Sequence, residues 1–136
     1  MKKALYLLSA ALCLLLCQSP QAQAEILTYE GVGEYYMEEE NISLSEAKDK
    51  AKLMAEVAVV EQASVKVAST TEVQKSKLTK DEIELIAAGI IKVQDVKYNI
   101  SSELDTLLVK AVVKAEIDTD EIPALVEQEL AKRKKA

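Results

Sequence analysis

Between Ser43 and Ser69 the chain reads SLSEAKDKAKLMAEVAVVEQASVKVAS, and no other stretch constrains the fold as strongly. It opens on a capping box, because the Ser43 hydroxyl can accept from the amide of Glu46 while the Glu46 carboxylate reaches back. Alanine, lysine, glutamate and methionine, all good helix formers, dominate the rest of the stretch. The pattern predicts one helix from Leu44 to about Val67, some 36 Å long. Ala47, Ala51, Met54, Ala58 and Val65 trace an apolar stripe with Ala55 and Val59 beside it. Leu53, Val57 and Val60 widen the arc and leave room for a second packing partner on that side. A helix this long and this poor in bulky side chains needs a flat surface that can come close to it, which is what a sheet offers.

Strands for that sheet are present. ILTYEGVGEYYM, residues 26–37, alternates at period two, with Leu27, Tyr29, Tyr35 and Met37 on one side. Gly31 and Gly33 fall on that same side, so a bulge or a close approach by the long helix is expected there. The Gly-Val-Gly lacks a third glycine and a following helix, so it is not a nucleotide fingerprint. IIKVQDVKYNIS, residues 90–101, alternates as well, but its phase slips between Val93 and Val96, as a bulge at Gln94-Asp95 would produce. TLLVKAVVKAEIDT is the clearest strand: Val109, Ala111, Val113, Ala115 and Ile117 on one face, Leu108 and Val112 on the other. The short link SELD predicts an antiparallel hairpin between these two strands.

The remaining segments are short. The Ser/Thr-rich run after Val67 reads as a turn or a brief extended piece. Thr79, with Glu82 as partner, caps a second, short helix whose Ile83, Ile86 and Ala87 face inward and which Gly89 is placed to stop in a left-handed conformation. After Pro123, Ile122, Val126 and Leu130 give a terminal helix one apolar face. The Lys132 to Lys135 run suits a helix C-terminus, although a frayed basic tail from about 131 is the expectation. The fold class is therefore α+β: a small antiparallel sheet of three to four strands packed against a long alanine-rich helix and a short second helix.

The first 24 residues stand apart. Lys2 and Lys3, an apolar run to Cys17 and an Ala22-Gln23-Ala24 exit have the layout of a cleaved signal peptide. Both cysteines, Cys13 and Cys17, fall inside it. Each follows a leucine rather than a small residue, so lipidation is not expected. Roughly 112 residues remain, enough for a single domain with its own core. All 23 acidic residues and all but two of the 17 basic ones lie there, a net charge of about −8. That balance argues against nucleic acid as a partner.

Chemistry has little to work with. The chain has no histidine, and no cysteine beyond residue 17. A serine triad, a thiol nucleophile and the usual structural zinc ligands are ruled out. The carboxylate clusters Glu38-Glu39-Glu40 and Asp118-Asp120-Glu121 have no calcium-loop spacing. No catalytic, cofactor-binding or metal-binding residue is assigned, and no enzymatic activity is expected. The residues left for a contact surface are Tyr35 and Tyr36, on opposite faces of their strand, Val57 and Val60 on the outer arc of the long helix, and Leu108 and Val112 on the reverse of the last strand.

Taken together, EGVGEY, then SEAKDKAKLMAEVAVVEQASVKVASTTEV, then LTKDEIELIAAGII, then VVKAEIDTDEI resembles a family of small bacterial outer-membrane and periplasmic lipoprotein-like proteins, related to the N-terminal domain of flagellar assembly protein T. The resemblance covers about Gly31 to Ile122. It implies helices laid on a small antiparallel sheet and a non-catalytic structural or adaptor role in the cell envelope. The chain departs from lipidated members at Leu16-Cys17. The expected partner is an envelope protein or a second copy of the chain, without stable membrane insertion after signal cleavage. Two arrangements stay open: a homodimer through Leu108 and Val112, or a monomer whose terminal helix covers that patch with Ile122, Val126 and Leu130. The alternative is a small-molecule or cell-wall polysaccharide binding module.

Overall fold

The computed structural model describes residues 25–38 and 41–135. The expected signal peptide and both cysteines lie outside the described residues, as do Glu39 and Glu40. In chain order the elements are β1 (Ile26–Tyr36), α1 (Leu44–Ala68), α2 (Thr71–Ser76), α3 (Lys80–Ile90), β2 (Lys92–Glu103), β3 (Thr106–Asp118), a 3₁₀ turn (Thr119–Glu121) and α4 (Ile122–Lys135). This is an α+β fold. The sheet has three strands in the order β1-β3-β2, both pairs antiparallel, so β1 and β2 are its edges.

The long helix starts where its capping box places it. Glu46 N donates to Ser43 Oγ at 3.1 Å, and Ser43 N donates to Glu46 Oε2 at 3.0 Å. Its buried line steps by four, through Ala47, Ala51, Ala55, Val59, Ala63 and Val67. This corrects the expected stripe, since Met54 is exposed and Val65 is 73% exposed. The cause is the pair of glycines on β1. A Cβ on Gly31 would overlap the carbonyl oxygen of Ala55, and one on Gly33 would overlap that of Ala51. The helix backbone lies directly on the strand, so alanine dominates the seam and Met54, whose Cβ sits beside Gly33, leaves its side chain largely exposed.

Under α1, Val109, Ala111, Val113 and Ala115 of β3 complete one core. A second core forms where α1 leaves the sheet. There Ala63, Val67, Val73, Ile86, Ala87, Ile90, Ile117, Ile122 and Val126 bring together α1, α2, α3, the end of β3 and α4. Among the described residues no polar or charged residue is buried.

Three further local expectations change. The Ser/Thr-rich run is the helix α2, which buries Val73 and ends at Lys77 with a left-handed φ of 50°. Gly89 does not stop α3; no glycine has positive φ, the helix continues to Ile90, and Ile91 ends it in extended conformation. As expected, Thr79 Oγ1 accepts from Glu82 N at 3.3 Å, and the Glu82 carboxylate has a further partner on α4. It takes a fork from Arg133, Nη2 to Oε2 at 2.6 Å and Nε to Oε1 at 3.2 Å. That anchor keeps the basic C-terminal run helical through Lys135, in place of the expected frayed tail. The bulge at Gln94 and the hairpin both appear as expected.

Candidate contact surface between α1 and β2

The period-two alternation of the strands divides the sheet into a face under α1 and a reverse face. On β3 the face on the α1 side carries Leu107, Val109, Ala111, Val113, Ala115 and Ile117, of which Val109 to Ala115 lie under the helix. Their partners on β2 are Ser102, Ile100, Tyr98, Val96 and Val93, so the apolar row of β2 lies on the same side. The helix, however, packs on β1 and β3 and barely reaches β2. In consequence only Val96 of β2 is even half-buried. Val93, Tyr98 at 40% exposure, Ile100 and the neighbouring Leu107 form an open apolar strip beside the helix.

The helix flank that faces this strip carries Lys48, Lys52, Glu56 and Val60. Lys48 Nζ sits 5.5 Å from the centre of the Tyr98 ring, a cation-π contact at the groove's near end. Lys52 and Glu56 pair at 3.6 Å. Farther along, a cleft of about 290 Å³ opens between Val60, Ala88, Ile91 and Val93. It meets another lined by Leu53, Glu56, Val57, Val60, Glu61 and Glu84. Leu53, 61% exposed, and Val57 stand on its outer lip.

At the other end of the strip is the hairpin turn. Leu104 and Asp105 both have positive φ, 52° and 61°. Two left-handed residues make the tight turn that suits the twist of a two-residue hairpin, but asparagine and glycine are the residues that adopt it cheaply. A leucine there is strained, and its side chain is 94% exposed. Stability explains neither property.

The six residues singled out in the sequence do not converge. Val57 and Val60 lie on α1: Val60 packs under α3, the second partner its position implied, while Val57 stays open. Tyr35 faces α1, where Lys50 Nζ donates to its hydroxyl at 3.2 Å and lies over its ring. Tyr36, Leu108 and Val112 are on the reverse face. Leu108 is not an open patch there, being only 5% exposed. Tyr36 is its β1 partner, and the Tyr36 hydroxyl donates to Glu103 Oε2 on β2 at 3.4 Å. A bond from β1 to β2 must cross β3, so the tyrosine lies over Leu108. The Glu103 charge holds the Tyr36 hydroxyl above its ordinary pKa. Nor does α4 cover Leu108; it packs on α2 and α3 at the far end. Tyr98, Ile100 and Leu107, exposed in the open strip, were not singled out in the sequence. Their alternation was visible, but the width of sheet that one helix covers was not.

No group of histidine, cysteine, aspartate or glutamate able to hold a metal occurs among the described residues, and no described helix is long and apolar enough to cross a membrane. Neither family models, nor curated proteins, nor solved structures give a match to this chain.

Proposed function

We propose that this chain is a non-catalytic interaction module of the bacterial cell envelope, acting as a structural or adaptor protein through the face between α1 and β2. The observation that carries this reading is the open apolar strip of β2, flanked by an exposed helix lip and ending in a strained, solvent-facing leucine. Such a surface costs solubility and gains nothing for the fold, which is the mark of a contact site. The envelope assignment rests on the signal-like first 24 residues and on the resemblance in residues 31–122.

The small-molecule or polysaccharide reading is weaker. Ligand pockets orient their cargo with a few convergent polar groups in an apolar wall. Here no buried polar side chain faces the cleft, and Glu56, Glu61 and Glu84 ring its mouth. With so few aromatic rings, there is also no stacking wall for a sugar.

Photo-cross-linking in the producing cell tests the proposal. A photoreactive residue at Tyr98 or Leu53 is expected to yield discrete cross-linked products, and one at Val32 on the reverse face is not. Equal labelling from both faces, or none from the groove, would remove the basis for this reading.

A further inference from the structure

We infer that the occupant of the β2 edge is a second copy of this chain, paired antiparallel about a two-fold axis at Tyr98 to give a continuous six-stranded sheet. This rests on the proposed role of the same face and names its partner. The argument begins with the ladder. Met37 N donates to Leu107 O at 2.9 Å, so odd-numbered residues of β3 bond to β1 and even-numbered ones to β2. The β2 residues opposite even positions, Lys97, Asn99, Ser101 and Glu103, therefore spend their amides on β3. Those between them, Val96, Tyr98, Ile100 and Ser102, point N–H and C=O outward. The open apolar row and the free edge are thus carried by the same residues.

Edge strands are usually guarded against such pairing by charges, prolines or bulges. On β2 the bulge at Gln94 guards only the start and no proline occurs in the rest of the strand, so the guards that remain are the charges of Lys92, Asp95, Lys97 and Glu103. Charge then selects the register. Pairing about Lys97 sets lysine against lysine, and pairing about Asn99 sets Asp95 against Glu103. Pairing about Tyr98 sets Lys97 against Asn99, Asp95 against Ser101 and, allowing for the bulge, Lys92 against Glu103, although Lys92 already pairs with Glu121 at 2.9 Å within its own chain. On the other face Val96 meets Ile100 and Tyr98 meets itself. This register uses the strand nearly end to end and opposes no like charges. Cross-strand pairs of opposite charge and of two aromatic rings are among the favourable ones. A two-fold normal to the sheet puts both copies of α1 on one face, each set back from the pairing edge over β1 and β3.

Sedimentation of the protein as purified from the cell tests the inference, together with Tyr98→Lys, which sets two lysines face to face. A dimer whose dissociation constant rises about tenfold or more in the variant is expected. In parallel, Lys97→Cys and Asn99→Cys chains are mixed under mild oxidation, and mass spectrometry looks for the peptide linking position 97 to position 99. That link should form in the mixture and not in either chain alone, and it serves as the readout if Tyr98→Lys fails to fold. A monomer across the micromolar range, or a dimer that shows no such link, overturns the inference. If the protein is monomeric yet photo-cross-links from Tyr98 to another protein, the interaction reading stands and the self-pairing falls. If neither is seen, both fall.

Discussion

Gly31 and Gly33 show how single residues set the geometry of the molecule. Each stands where a Cβ would meet helix backbone; at Gly31 it would also approach Val59 Cγ2 to 2.8 Å. Backbone cannot step aside as a side chain can. Gly31→Ala is therefore expected to destabilise the fold by roughly 1–3 kcal/mol, read as a lower denaturant midpoint. Leu104 is the opposite case. Its left-handed φ of 52° is strained and its side chain is almost fully exposed. Leu104→Gly should raise stability by about 1 kcal/mol in the isolated protein, and lower any cross-linking through the hairpin tip. Arg133 gives a pH-dependent example. Its fork holds the Glu82 carboxyl below the ordinary glutamate value. A carboxylate with a depressed folded-state pKa stabilises fully above its unfolded value and loses that contribution as pH falls through the folded one. Arg133→Ala should therefore lower thermal stability at neutral pH, and its gap from the unchanged protein should close on acidification below the ordinary glutamate range.

At the scale of elements, the features legible in the sequence are those set by local rules. The capping box, the period-two strands, the bulge at Gln94 and the hairpin each depend on residues within a few positions of one another. The buried line of α1 does not, because it depends on glycines on a strand that precedes the helix. The end of α3 depends on distant chain too. Gly89 suggests a left-handed stop, yet it is helical, and a Cβ there would meet only Leu125 Cδ1 of α4 at 3.6 Å. That is ordinary contact distance. Gly89→Ala should stabilise the protein by about 0.5–1 kcal/mol, seen as a higher midpoint without loss of helical signal. The contact surface was legible only in part. Val57 and Val60 were found from helical spacing. Leu108 was misjudged because nothing local announces that Tyr36 reaches across β3 to Glu103.

For the whole molecule, one helix laid over a three-stranded sheet covers two strands and leaves the third. The buried face of β2 then becomes an open one without any change in its sequence pattern, and the strand with the uncovered row is also an edge strand of the sheet. The account stands on that coincidence. Residue-resolved amide exchange along β2, on dilute and concentrated protein, tests it most directly. Lys97, Asn99 and Ser101 should be protected at both concentrations, since their amides bond to β3. Val96, Tyr98 and Ile100 should exchange freely when dilute and become protected when concentrated. Outward amides that exchange equally fast at both concentrations would contradict the account.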